Sequence, residues 1–301
     1  MLEQIIVQGT IDSLVYALMA LGFTLIYGVS GIVNMAHGAY ILIGAYIFIS
    51  MDTFFASFFP AKFLYLAPVL AFIIAPIVTG IIGSIFYRLT IHQIIGDQIG
   101  IIVTSLAACI AFQQIVGIVF GSAATIRYPL PTLIQGYFTV LGVQVTNDRA
   151  VAAVMSILLF AGVWIFVART RWGKAMRALS QDLEAAMLMG VNVERMYMLV
   201  SAIAAGFACI AAVFFASSSG AATGQMWLYA LAISFSIVIL GGLGNIKGSI
   251  IGAFIFGYAI EIIRQVLPGA GGMVTAFPFI VMIIVLIIRP KGLFGKRIEM
   301  E

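Results

Sequence analysis

Charge is scarce in this sequence, and its scarcity excludes a soluble fold. Of 301 residues, 9% are charged and 63% are hydrophobic, with a mean hydropathy of +1.18. Soluble domains carry roughly 25% charged residues, so a water-facing globule of this composition would leave most of its Leu, Ile, Val and Phe side chains exposed. Lipid must be the solvent for much of the surface. Cysteine is nearly absent too. Cys109 and Cys209 both fall inside apolar runs, which reads as two small buried hydrophobes and not as a disulfide framework. There are two histidines and no H-E-x-x-H or C-x-x-C spacing, so neither a metal site nor a cofactor is expected. No nucleophile–base pattern supports an intramembrane enzyme. The opening MLEQIIVQGT lacks a Lys/Arg n-region and a small-residue cleavage site, so this segment is expected to remain as structure. The net charge of +4 comes from basic residues at the ends of apolar runs. With no aromatic-interleaved basic patch, that pattern signals membrane topology and not nucleic-acid binding.

What is present is a series of long apolar runs. A helix needs about 20 apolar residues to cross the hydrocarbon core. Such runs fall at 4–28, 31–57, 65–88, 99–120, 150–168, 197–217, 227–243, 248–267 and 274–289. We expect an all-α, polytopic membrane bundle of eight or nine transmembrane helices, forming a single permease-like domain over residues 1–301. The doubt in number concerns the first two runs, separated by Val29–Ser30–Gly31, and the pair flanking Gly244. Lys and Arg set the orientation. Arg169, Arg171, Lys174, Arg177 and Arg195 lie within 169–196, and Arg289, Lys291, Lys296 and Arg297 lie in the tail. Both segments are expected in the cytoplasm, and four intervening spans keep them on one side. Residues 88–98 then lie inside and the Pro-containing loop 121–149 outside. Nine spans put the N-terminus outside.

Many of the 31 glycines fall within spans, at Gly80–Gly83, Gly241–Gly242, Gly248–Gly252 and Gly257, where small residues let helix backbones approach in lipid. Gly44-Ala45-Tyr46-Ile47-Phe48 is echoed by Gly252-Ala253-Phe254-Ile255-Phe256. Chance and a duplicated half with a path at the repeat interface are both open. Glu261 and Arg264, three apart, are expected to pair on one helix face as an interfacial salt bridge.

Residues 169–196 form the longest polar stretch on the expected cytoplasmic side. Ser180 is placed to cap a helix, with Asp182 and Glu184 in its first turn. Leu183, Met187 and Val191 make an apolar stripe, Gly190 is placed to stop the helix, and Asn192 to cap another. A short amphipathic helix outside the membrane needs somewhere to dock: a membrane surface, another part of this chain, or a partner's groove.

Here the residues resemble a known pattern. Glu184-Ala185-Ala186, three residues, then Gly190 matches the EAA-x3-G loop of ABC-importer permeases, whose cytoplasmic helix docks into a cleft of the ATPase. The resemblance implies an ATPase-coupling role for Ser180, Leu183, Glu184, Ala185, Ala186, Met187 and Gly190. Leu25-Ile26-Tyr27-Gly28-Val29, Gly31-Ile32-Val33-Asn34-Met35-Ala36-His37-Gly38 and Gly44-Ala45-Tyr46 look like the first-helix signature of LivH-type permeases, which import branched-chain amino acids. Leu240-Gly241-Gly242-Leu243-Gly244-Asn245-Ile246 and the tail Arg289-Pro290-Lys291-Gly292-Leu293-Phe294-Gly295 fit the same family. Ala39 stands where many relatives carry an acidic residue, so no charged group is expected there. Polar residues at membrane depth must face a cavity or a partner. Asn34, His37 and Gly38, with Gly244, Asn245 and Gly248, are therefore candidates for broken helices along a translocation path. The alternative for Asn34 and His37 is a cap on the turn between two spans. We read the segment as a structural break and do not assign His37 as a direct substrate ligand.

No G-x-x-x-x-G-K-[ST] occurs, so this chain is expected not to hydrolyse ATP. The resemblance implies a bacterial inner-membrane, multi-pass permease with no enzymatic activity of its own. It also implies partners: a second, LivM-like permease, two ATP-binding subunits, a periplasmic substrate-binding protein and membrane lipid, with no nucleic acid. Rival readings are a urea or short-amide importer on the same scaffold, and a stand-alone channel or secondary transporter. For the latter, Asp12, Glu261 and Arg264 supply a thin set of buried charges.

Overall fold

The computed structural model describes residues 1–121, 128–267, 271–289 and 292–294. The basic tail residues Lys291, Lys296 and Arg297, and part of the loop 121–149, lie outside them. The helices run α1 (Leu2–Ser30), α2 (His37–Ala56), α3 (Leu66–Leu89), α4 (Gln98–Phe120), α5 (Asn147–Arg169), α6 (Arg171–Gln181), α7 (Leu183–Leu188), α8 (Val193–Ser219), α9 (Met226–Gly241), α10 (Ile246–Val266) and α11 (Gly271–Ile288). Seven helices are long and apolar enough to cross a membrane. α9 is apolar but has 16 residues. The second apolar run differs from expectation: residues 31–36 are not helical, and α2 begins only at His37.

The loop between α4 and α5 also departs from an all-helical reading. It carries β1 (Tyr128–Pro129) and an antiparallel hairpin of β2 (Tyr137–Val140) and β3 (Val143–Thr146). Leu141 and Gly142 both have positive φ, 50° and 78°, as the tight turn of a two-residue hairpin requires. The alternating Tyr-Phe-Thr-Val and Val-Gln-Val-Thr flanks supply the strands. The hairpin marks one end of the bundle, and α6 and α7 mark the other.

Two antiparallel helix pairs form the core. α1 packs along α10, with Thr24 Oγ1 2.7 Å from Ser249 Oγ and Thr10 Oγ1 2.7 Å from Tyr258 Oη. α8 packs along α3 in the same way, with Phe72 against Phe214 and Tyr87 edge-on to Tyr197. Small residues set the spacing between helices. A Cβ on Gly83 would lie 2.5 Å from that of Ala205, and one on Gly44 would lie 2.6 Å from Cys209 Cα. In lipid this close packing replaces the hydrophobic drive between helices. On the other side of α3, Val69, Ile73, Ile77, Ile81 and Ile85 are exposed at four-residue intervals, one helix face turned to the apolar solvent.

The architecture is an inverted repeat. α1 ends at Ser30 and α8 at Ser219, and each is followed by a left-handed glycine, Gly31 (φ 67°) and Gly220 (φ 72°). Five further non-helical residues precede α2 in one half and α9 in the other. α1 meets α10 as α8 meets α3, and α1 and α8 run in opposite directions, so α1–α4 and α8–α11 correspond. The Gly44–Phe48 and Gly252–Phe256 echo does not carry this symmetry. It pairs α2 with α10, which are not equivalent elements.

Candidate functional site

The first break builds the middle of the bundle. Gly31 adopts φ 67° and donates to Tyr27 O at 2.8 Å, closing α1. The chain then turns back along α1 until His37 Nε2 reaches Met19 O at 2.8 Å. A carbonyl can only accept, so this imidazole carries its proton on Nε2. Met19 and Gly22, both against His37, lie eight to eleven residues before Ser30, or roughly 12–16 Å at the helical rise. Six residues cover that distance only as extended chain. Non-helical backbone at this depth needs protein partners, and α4 provides them. Met35 N–H donates to Ser105 Oγ at 3.0 Å and Cys109 Sγ to Met35 O at 3.2 Å. Asn34 Oδ1 accepts from Ala36 N at 3.0 Å. Asn34 and His37 are buried, His37 edge-on to Phe23, and both work here as turn and packing residues.

The second break mirrors the first. After Gly220, Ala221–Ala222 (β4) pairs with β1, and α9 starts at Met226. Trp227 Nε1 donates to Gln113 Oε1 on α4. Gly38 lies against Trp227 O and Leu231, where a Cβ would come within 2.9 Å of the Leu231 Cβ. The starts of α2 and α9 therefore touch, and one helix, α4, fastens both.

Gly244, Asn245 and Gly248 are elsewhere. They form the α9–α10 turn, with Gly242 and Gly244 at positive φ and Asn245 Oδ1 accepting from Gly248 N at 3.1 Å. Gly244 packs on Gly28, about 10 Å further along α1 than His37 by helical rise. The two groups of broken-helix candidates are thus not brought together. Leu293 N and Phe294 N return to bond Leu240 O (2.8 Å) and Gly241 O (3.1 Å), satisfying the end of α9.

In the polar loop, α6 is capped by Thr170, whose Oγ1 accepts from Gly173 N at 3.0 Å, and it buries Met176 and Leu179. Ser180 is not the cap of the next helix. It lies inside α6 with its Oγ bonded to Arg177 O at 2.9 Å. Asp182 takes the role because its backbone is extended (φ −154°, ψ 111°), and its Oδ1 accepts from Ala185 N at 2.9 Å. The helix is therefore shorter than Ser180–Gly190. It ends in two reciprocal bonds, Gly190 N to Met187 O (2.9 Å) and Val191 N to Ala186 O (3.1 Å), with Gly190 at φ 85°. Asn192 caps α8, accepting from Arg195 N at 2.9 Å. Ala186 is buried, whereas Leu183, Glu184, Ala185 and Met187 are exposed. The two most exposed apolar side chains, Leu188 (88%) and Met189 (85%), were missed by the stripe of Leu183, Met187 and Val191. Their signal is the pair of bulky apolar residues directly before Gly190, a position where the helix has already stopped.

Near the hairpin end, Arg264 Nη1 lies 2.8 Å from Glu261 Oε2 and 3.3 Å from Asp12 Oδ2. Arg149 reaches Asp12 at 3.9 Å and donates to Gln8. Sequence spacing pairs Glu261 with Arg264, but only the fold adds Asp12 and Arg149, tying α1, α5 and α10 into one network of balanced charge.

Among solved structures, PsaBC from Streptococcus pneumoniae in complex with Fab shares the fold (TM-score 0.51, 14% identity, 95% of this chain and 92% of that one). The chain is 30% identical over 300 residues to the high-affinity branched-chain amino acid transport system permease protein BraD of Pseudomonas aeruginosa, covering 98% of this chain and 96% of BraD. It is 28% identical over 288 residues to LivH of Escherichia coli, a permease protein of the same description, covering 93% and 91%. The family model for the branched-chain amino acid transport system permease component matches residues 5–286, and the chain belongs to that family.

Proposed function

We propose that this chain is the membrane-embedded permease subunit of an ATP-driven ABC importer for branched-chain amino acids. It forms half of the translocation pathway and docks an ATPase through α7. The observation that carries the docking role is the exposed apolar tip of α7, Leu188 and Met189, held by a fully bonded glycine stop and an Asp182 cap. A short helix fixed at both ends, with its apolar tip turned away from its own bundle, suits insertion into a partner's groove. The α6–α7 end is assigned to the cytoplasm. Arg169, Arg171, Lys174, Arg177, Arg195, Lys247 and Arg289 gather there, in line with the positive-inside tendency. Nine helices cross the bilayer in this arrangement, α9 together with its extended lead-in and α11 included, and the N-terminus lies outside. The partners are a second related permease, two ATP-binding subunits and a periplasmic binding protein. ATP-driven closure of the ATPases moves α7 and switches the bundle between outward and inward access.

Two measurements test this. ATPase subunits should accompany the detergent-extracted protein, and their absence under mild extraction would overturn the docking role. Gly190→Val forces a β-branched residue to φ 85° and should uncouple ATP hydrolysis from uptake, whereas undiminished leucine uptake would count against it. Uptake of urea or a short amide in place of leucine would keep the scaffold and replace the substrate.

A further inference from the structure

Between the end of α8 and the start of α9 lies a cavity of about 270 Å³. Its wall is mixed. Phe215 and Tyr229 stack with ring centroids 5.9 Å apart, and Ala216 and Met226 add apolar surface, while Ser219, Thr223 and Gln225 add polar groups. Among the described residues, the side chains of Thr223, Gln225 and Tyr229 make no hydrogen bond within the chain. A second cavity of about 260 Å³, between Leu25, Phe166, Val200 and Phe207, has no polar side chain in its wall, and suits an acyl chain and nothing with a polar end.

We propose that the cavity at the α8–α9 break is a transient binding site for a net-neutral amino acid with an apolar side chain. This rests on the permease function proposed above. Depth is the first argument. Ala204 of α8 packs on Gly22 in the middle of the bundle, and α8 runs from there toward the hairpin end. The cavity thus occupies the half of the membrane on the hairpin side, where a solute handed in from outside first meets the chain. Unsatisfied hydroxyl and amide groups at such depth cannot face hydrocarbon cheaply, so they face water or the partner permease, that is, the path. Chemistry is the second argument. No Asp, Glu, Lys or Arg lines the wall, so a solute of net charge would be desolvated without a counter-ion. A zwitterion with an aliphatic side chain finds both the apolar rings and the neutral polar groups it needs. Size is the third. The volume falls just below the roughly 300–1,000 Å³ of sites for drug-sized ligands, in keeping with a solute of a few heavy atoms.

The test uses thiol labelling of the full chain assembled with its companion subunits in sealed, right-side-out vesicles. Cys109 and Cys209 are both buried, so the wild-type background is low. Thr223→Cys and Gln225→Cys should react with a membrane-impermeant thiol reagent about tenfold faster than wild type or more, following exposure. Millimolar leucine should slow that labelling several-fold, and equal lysine or glutamate should leave it unchanged. Two positions guard against one variant failing to fold. No labelling at either, or labelling that leucine does not slow or that lysine and glutamate slow equally, overturns the site. Leucine uptake by wild-type vesicles separates the two proposals: uptake without leucine protection overturns this site alone, and absent uptake overturns the permease substrate and the site with it.

Discussion

His37 donates its Nε2 proton to the main-chain carbonyl of Met19, 2.8 Å away, although Met19 lies eleven residues before the end of the helix that His37 follows. That single contact sets how far the extended lead-in of α2 reaches back into the bundle. The ring also fills the space over Gly22, where a Cβ would come within 2.7 Å of it. His37→Ala removes a buried ring and a hydrogen bond and should lower stability by about 2–4 kcal/mol. His37→Gln, which keeps a donor, should cost less. Thermal unfolding in detergent, followed by tryptophan fluorescence, checks the order.

Ser105 Oγ is the acceptor for Met35 N–H in a non-helical stretch. Ser105→Ala leaves that amide unpaired in the bundle interior and should cost about 1–3 kcal/mol. Cys109→Ser keeps a donor for Met35 O and should be tolerated better than Cys109→Val. Equal melting of Ser105→Ala and wild type would show that another group takes over the bond.

Asp12 and Arg264, 252 residues apart in sequence, meet at 3.3 Å with Glu261 beside them. Removing the guanidinium leaves two facing carboxylates. Arg264→Leu and Asp12→Asn should therefore be less than additive, with a coupling energy of about 0.5–3 kcal/mol. A double-mutant cycle on unfolding midpoints measures it, and strict additivity would mean the pair is screened by water.

The cap of α7 separates two serine and aspartate neighbours. Asp182→Ala removes the bond to Ala185 N and should destabilise the helix by about 0.5–2 kcal/mol. Ser180→Ala, within α6, should leave it intact. Amide hydrogen exchange at Ala185 and Ala186 reads the difference directly.

Much of the fold was legible because its determinants are local. The apolar runs matched the helices closely, Gly190 stopped α7 with positive φ, and Asn192 capped α8. What was misplaced turned on neighbours in space. Ser180 and Asp182 are both competent caps, and backbone conformation alone chose between them. The run beginning at Gly31 is apolar enough for a helix, yet its first six residues are extended because Ser105, Cys109 and Met19 lie where they can bond them. The literal echo between Gly44–Phe48 and Gly252–Phe256 pointed to the wrong elements, while the plain Ser-Gly pairs at 30–31 and 219–220 mark the true repeat.

By itself the sequence determined residence in the membrane, the helical elements and the family, since these follow from composition, periodicity and short motifs. Tertiary structure alone decided where the helices break in depth, which charges meet, and where a mixed cavity opens. The physical reason is the same throughout: hydrocarbon cannot satisfy a polar group. Each unpaired amide, hydroxyl or charge is placed by a partner that is distant in sequence, and only the folded chain reveals which one.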